Sequence, residues 1–361
     1  MITREWPLAP IYGTAAVFFA LDQALLGDLQ NPWWAALMLA WLFAIMMLAA
    51  FAVVRHADCL AEIFGEPFGT LILTMAITVI EVLMIAAVML TGPKESTLAR
   101  DTMFAVVMIV FNGMAGLALL VGGLRYHEQT YNLQGANAFL AVIVPLAVLG
   151  LVLPNFTSAP GATFSTLHEA FLMLMSLGLY AVFLAIQTLR HRHYFVERDE
   201  VEEQAPPLTD LRPAAYHGTL FMLYIVPIVL LSKKIAVPID YGVRVLDASS
   251  ALVGMLVAVL ILAPESLAAV RAALANQLQR SINLLLGSVL ASISLTIPAV
   301  LAIGMLTERT IVLGLEAVDV ILLLLTLAMA TLTYASGRTN ILLGAVHLLL
   351  FCAYIVLVLD R

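Results

Sequence analysis

Long apolar runs separated by short polar breaks fill the chain. A window of about 20 residues, the length that spans a bilayer core, predicts eleven helices, near 8–26, 33–54, 68–91, 102–124, 136–153, 164–189, 214–232, 247–270, 281–306, 310–334 and 340–358. Gly, Pro, Asn and charges punctuate the breaks, as in TGPKES after the third run and PNFTSAPGA after the fifth. One break differs: RHRHYFVERDEVEEQAPPLTDLRP, 190–213, is long, polar and proline-containing, and it divides the chain at its midpoint. Five runs follow it, and five precede it once the first is set aside. A repeat with an odd number of crossings must enter the membrane from opposite sides. The pattern therefore predicts an all-α polytopic membrane protein of eleven transmembrane helices, arranged 1 + 5 + 5 as inverted-topology repeats. Its units are an N-terminal helix (1–32), a first five-helix repeat (33–189), an acidic connector (190–213) and a second five-helix repeat (214–361).

Composition agrees with the pattern. Hydrophobic residues make up 63% and charged residues 11%, with a mean hydropathy of +1.03, beyond the range of a soluble domain. A net charge of -7 with no basic stripe argues against nucleic acid as a partner. The lipid bilayer and inorganic ions are the expected partners; oligomeric state is left open. Cys59 and Cys352 are too few and too far apart for a disulfide framework or zinc site. The opening MITREWPLAP lacks a basic n-region and no small-residue cleavage site follows, so the first run reads as a retained helix. With the N-terminus inside, ten of the 17 Lys and Arg fall in inner segments, which places the N-terminus and the connector in the cytoplasm and the C-terminus outside. A bacterial inner membrane is the expected location.

Acids inside the runs carry the chemistry, because a carboxylate near a helix centre costs a few kcal/mol (about 2.5–3.5) and faces a bundle interior or water-filled cavity. Glu81, in TLILTMAITVIEVLMIAAVML, has no charged neighbour in its run. Glu265 has two readings: it follows Pro264, which could open a fresh interfacial helix and make Glu265 a first-turn acid. Alternatively, a mid-span proline frees the Leu260 carbonyl, and kink and acid together form a site. The acids occupy corresponding places, in the second helix of each five-helix unit. Hydroxyls at helical spacing are Thr74 and Thr78 before Glu81, Ser266 after Glu265, and Ser288, Ser292 and Thr296 along one face of the ninth run; such a stripe also serves as interhelical packing. Asn112 in the fourth run could ligate or bond a neighbour. Carboxylates and hydroxyls are hard oxygen ligands of the kind calcium takes. Burial also favours the neutral form of an acid, so the same pair can hold protons or a cation, and competition between them is exchange.

At these residues the chain resembles the cation/proton exchanger (CAX) family, which includes the Ca2+/H+ antiporters, and in particular its bacterial ChaA-type branch. The resemblance runs over GEPFGTLILTMAITVIEV (65–82), LLVGGLRYHEQTYN (119–132) and ILAPESLAAVRAALANQLQRSINLLLGS (261–288). It implies an antiporter in which Glu81 and Glu265 bind calcium or protons, with no cofactor and with sodium and potassium as further cargo. The family's G-N-x-x-E motif is altered: ITVIE and ILAPE keep the acid, Thr78 and Leu262 stand at the Asn positions, and Ala291 replaces a glutamine. In the connector, Glu197, Asp199, Glu200, Glu202 and Glu203 are either a solvated loop or, as the resemblance implies, a cation-collecting or regulatory segment. His191 and His193 flank it. His347 and the pair Glu316 and Asp319 are further polar groups at or within the runs, read as accessory. Two other classes stand beside the antiporter: an intramembrane carboxylate enzyme, for which no zinc H-E-x-x-H, Asp-rich diphosphate motif or nucleophile elbow is present, and a passive cation channel.

Overall fold

The structure, a computed structural model, describes residues 5–64, 68–91, 95–159, 161–195, 212–245 and 249–360. Its helices are α1 (Leu8–Ala20), α2 (Pro32–Phe64), α3 (Phe68–Thr91), α4 (Leu98–Tyr126), α5 (Leu133–Phe156) and α6 (Thr166–Arg190). They continue as α7 (Ala214–Val245), α8 (Ser250–Leu274), α9 (Leu278–Thr307), α10 (Ala317–Thr333) and α11 (Ile341–Leu359). Among the described residues, eight are long and apolar enough to cross a membrane; α1, α10 and the described stretch Thr78–Ala87 of α3 are shorter apolar helices. Side chains of residues 65–77 lie outside the described set.

Local chemistry sets most boundaries. Ser165, Ser249 and Asn340 cap α6, α8 and α11 by accepting from His168, Leu252 and Leu343 backbone N–H groups. The first apolar run ends early, at Ala20, and a separate short helix, Asp22–Leu26, follows. In contrast α2 and α7 run on to Phe64 and Val245, past the hydropathic windows at 54 and 232, because their polar ends remain helical as the two helices pack antiparallel along each other. The tenth helix begins at Ala317 rather than 310, since Thr310–Ile311 extends to pair in parallel with Glu95–Ser96.

Contacts between helix ends sort into two faces. On one, the Tyr126 hydroxyl donates to the Leu274 carbonyl (2.9 Å), Asn132 N–H to Gln279 Oε1 (2.6 Å), Asn283 to the Phe195 carbonyl (2.6 Å), and Gln129–Thr130 pairs antiparallel with Arg338–Thr339. On the other, Arg309 donates to the Met89 carbonyl (2.7 Å), Asn155 to Leu315 (2.6 Å), Arg100 to Gly314 (3.1 Å) and Ser249 to Val358 (3.3 Å). Helices α4, α5, α8, α9 and α11 each join one end to each set.

The centre of the bundle is α4, α8 and α9, the most buried spans, while α6 and α11 lie at the periphery with large apolar side chains such as Leu174 and Leu349 turned outward. That distribution suits a surrounding solvent of lipid. Small residues let the central helices touch: a Cβ at Gly254 of α8 would lie 2.6 Å from the Asp101 carbonyl carbon of α4, and one at Gly344 of α11 2.5 Å from the Leu120 nitrogen. Both α4 and α9 widen into a π turn, at Met108–Met114 and Ser292–Thr296. These turns begin 184 residues apart, the same separation as Glu81 from Glu265 and as the start of α5 from the start of α10. The packing is crosswise: the π turn of α9 lies on α3, and that of α4 lies on α8.

Candidate cation site

Glu81 projects from α3 into the bundle and is 1% exposed; Glu265 projects from α8 and is 9% exposed. One helix serves both. Ser292 and Thr296 of α9 donate to the two carboxylate oxygens of Glu81, Thr296 at 3.1 Å, and Ser288, one turn earlier, donates to Glu265. Winding explains why a single stripe reaches two acids: α9 is α-helical at Ser288 and π-helical from Ser292, and π bulges recur where side chains must be re-aimed at a functional site. Glu265 is also within electrostatic range of Glu81 and of Asp58, an exposed carboxylate of α2 that in turn feels Arg280 at the start of α9.

No Lys, Arg or His among the described residues pairs with either glutamate. Magnitudes then decide what the site needs. Desolvating an ion costs several kcal/mol even after relaxation, and a hydrogen bond to a charged group returns about 1.5–3 kcal/mol. The three hydroxyls bonded to the pair among the described residues fall short of that cost for two bare carboxylates, so the arrangement favours forms neutralised by protons or a cation. Among the described residues no three His, Cys, Asp or Glu side chains converge as a metal cage. The available ligands are two carboxylates and α9 hydroxyls, hard oxygens suited to a hydrated alkali or alkaline-earth ion.

The remaining residues singled out by sequence fall in different places. Helix α8 runs unbroken through Pro264, so Glu265 is a mid-helix acid and not the first turn of a separate interfacial helix. Ser266 turns its hydroxyl back to the Leu262 carbonyl (2.7 Å). Thr78 is buried one turn before Glu81, whereas the Thr74 side chain lies outside the described residues. Asn112 is not joined to the glutamates: its amide donates to Thr326 (2.8 Å) and its oxygen meets His347 Nδ1 (3.0 Å), whose Nε2 faces Thr333 (2.9 Å). This neutral buried chain pins the π turn of α4 to α10 and α11. The five acids Glu197, Asp199, Glu200, Glu202 and Glu203 lie outside the described residues.

Two features escaped the sequence reading. Asp58 sits in the polar end of α2, beyond the hydropathic window, and nothing in its spacing links it to Glu265. The segment after α4 clamps the α8–α9 turn: Gln129 Nε2 donates to the Ala273 carbonyl (2.9 Å) and to Asn276 (3.0 Å), and Asn132, Gln279 and Asn283 continue to the Phe195 carbonyl beside the connector. Amide-rich stretches flanking a Glu-bearing helix were the only available signal.

Comparison with known proteins matches the chain to the sodium/calcium exchanger protein family over residues 34–189 and 217–359. The y4hA protein of Sinorhizobium fredii (strain NBRC 101917 / NGR234) is 44% identical over 313 residues, spanning 86% of this chain and 85% of that protein. The sodium-potassium/proton antiporter ChaA of Escherichia coli (strain K12) is 39% identical over 311 residues, spanning 85% and 84%. Among solved structures, the Ca2+/H+ antiporter protein YfkE superposes with a TM-score of 0.71 over 98% of this chain and 99% of its own, at 15% identity, a likeness of fold.

Proposed function

From the premise that this chain belongs to the sodium/calcium exchanger protein family, and is an ion transporter rather than an enzyme, we propose that it exports a cytoplasmic cation in exchange for protons at the Glu81 and Glu265 pair. Calcium is the first candidate; sodium and potassium, the ions in the name of the ChaA relative, are the others. The observation that carries this reading is the sharing of α9: Ser288 donates to one glutamate, Ser292 and Thr296 to the other. A movement of α9 relative to α3 and α8 therefore alters both acids together.

Coupling follows from charge. Loaded with protons the site is neutral, and loaded with a cation it is wholly or largely neutralised. Bare, it carries two charges that hydroxyls do not compensate. Only loaded forms cross between access states, so cation movement in one direction requires proton movement in the other. Thr78 is an accessory group of this site; Ser266 and Asn112 act through helix geometry.

The equal separations of the glutamates, the π turns and the starts of α5 and α10 support an inverted repeat, 33–189 against 214–361, preceded by the helix in 1–32. Two-faced sorting of helix ends is what eleven successive crossings produce. On this topology the N-terminus and connector are cytoplasmic, in a bacterial inner membrane.

Everted vesicles carrying an internal pH dye test the proposal. Addition of Ca2+, Na+ or K+ to the unmodified protein moves protons; Glu81→Gln and Glu265→Gln each abolish the response. Proton movement retained in either variant removes that acid from the site, and cation flux that persists without proton movement would make the protein a channel.

A further inference from the structure

A second polar cluster, on the face where the connector leaves and returns, joins three elements. His56 of α2 and His217 of α7 meet Nδ1 to Nδ1 at 3.0 Å, both buried. Glu5, ahead of α1, accepts from Arg55 (2.7 Å) and the Tyr224 hydroxyl (2.8 Å) and faces His56 Nε2 at 3.3 Å through the same oxygen. His56 stacks on Tyr224 with centroids 5.7 Å apart; the edge of Tyr216 meets both histidines, and the Arg212 guanidinium lies over the Tyr216 ring.

Hydrogen-bond rules limit where protons can sit. His56 Nε2 lies between a Glu5 oxygen, which only accepts, and the Arg55 guanidinium at 3.2 Å, which only donates; with Nε2–H turned to Glu5 the neutral ring offers a lone pair at Nδ1, and in the opposite tautomer the two Nδ1 roles exchange with the same count of protons. In the first arrangement His217 brings Nδ1–H, which leaves its Nε2 as an acceptor; that atom is buried and unpartnered. One further proton enters there without cost to the Nδ1–H···Nδ1 bond. A second has only His56 Nδ1 to occupy, where it sets N–H against N–H at 3.0 Å. Two cationic rings would then face each other beside Arg55 and Arg212, with Glu5 as the carboxylate among the described residues that acts on both.

We propose that His56 and His217 form a proton-sensitive tie between α2 and α7, intact with no proton or one added and released by the second. The tie bears on transport because α7 packs on α3 and α2 packs on α8, so the joined helices back the two Glu-bearing helices. This consequence rests on the exchanger reading; the tie itself does not. Acidification on the connector face separates α2 from α7 and changes access to the site.

Spin labels on the exposed positions Phe64 and Thr219, with Cys59 and Cys352 replaced by Ala, report the α2–α7 distance by pulsed electron resonance in nanodiscs. Glu81→Gln and Glu265→Gln in the same chain remove the transport protons. The distance lengthens on acidification from about pH 8 to about pH 4, a span that reaches well below the ordinary histidine value of about 6.5 because the second proton loads beside a cationic ring. In His56→Asn/His217→Asn, whose amides occupy the Nδ1 positions without titrating, and in His217→Asn alone, which keeps one titratable ring, the distance stays at its alkaline value. An invariant distance in the unmodified histidine pair, or a shift that persists in both Asn variants, overturns the tie. With the glutamates restored, a pH profile of exchange identical in the Asn pair and the parent overturns its role in gating. Absence of any exchange in the parent instead sinks the exchanger reading and leaves the distance result standing.

Discussion

Ser292→Ala is the sharpest probe of the site, because it deletes one donor and little volume. Ser292 gives its proton to Glu81, whose other oxygen is served by Thr296 at 3.1 Å. A hydroxyl bond to an ionised carboxylate is worth about 1.5–3 kcal/mol, and one to a neutral acid about 0.5–1.5 kcal/mol. The variant therefore loses roughly 1–1.5 kcal/mol more from the cation-loaded form than from the proton-loaded form. At about 1.4 kcal/mol per decade, the cation concentration for half-maximal exchange rises about tenfold at fixed pH. Protons displace the cation more easily, so the rise is larger at acid pH than at alkaline pH. Thr296→Val, which keeps the side-chain shape, acts in the same direction. The assay is a cation titration of dye-loaded everted vesicles at two pH values. An unchanged half-maximal concentration at both would refute the assignment of the α9 hydroxyls to the carboxylate, whatever became of the maximal rate.

Other expectations use different parts of the structure. Ser288→Ala weakens cation dependence through Glu265, and combined with Ser292→Ala its effect is not additive, because both donors sit on one helix; a double-mutant cycle on the vesicle titration measures it. Asn112→Ala strands Thr326 and His347 as buried polar groups, lowering stability by about 2–4 kcal/mol while leaving cation dependence nearly unchanged, which thermal unfolding in detergent and the same titration separate. Gly254→Leu forces α8 away from the Asp101 backbone of α4, and the folded yield on size-exclusion chromatography collapses. Glu5 is held below the usual carboxylate range: burial opposes this, but the Tyr224 hydroxyl, Arg55 and His56 outweigh it. Its contribution is therefore complete above the ordinary Glu value of about 4.3 and is lost as pH falls through the lowered one. The gap in unfolding temperature between the parent and Glu5→Gln closes only in that acid range.

Much of this architecture is legible in the sequence, since lipid imposes a simple code: apolar length, loop punctuation and rare intramembrane acids. Glu81 stands out for that reason, and the i, i+4, i+8 hydroxyls of α9 mark the face that meets it. Hydropathy misses what is polar yet helical. The end of α2 carries His56 and Asp58, both past the window that defined that helix, and His217 sits at the very start of the window for α7. Pro264 is ambiguous in sequence because a proline opens helices as readily as it bends them; only the packing of α8 along α4 settles its place. Asn112 looks like a ligand because amides in membrane helices are rare, but a buried histidine of α11, 235 residues along the chain, takes its oxygen, and no local pattern announces that partner.

The separation of 184 residues also exposes an asymmetry. The α4 residues that correspond to Ser288, Ser292 and Thr296 are Phe104, Met108 and Asn112. Phe104 has no ligand atom; the Met108 sulfur lies 3.7 Å from the Asn112 amide and 3.5 Å from the Thr326 hydroxyl; and Asn112 is committed to α10 and α11. Each half of the chain supplies a glutamate, but the three hydroxyls that donate to the pair among the described residues all come from α9. Two carboxylates and three hydroxyls offer at most seven oxygens, and the hydroxyls are already bonded to the carboxylates, so on the proposed reading a calcium ion, which takes about six to eight, shares its shell with water. A shell rich in water discriminates weakly by size and chiefly by charge. On the proposed reading, the one-sided site suits a cargo that includes sodium and potassium, the ions in the name of the ChaA relative.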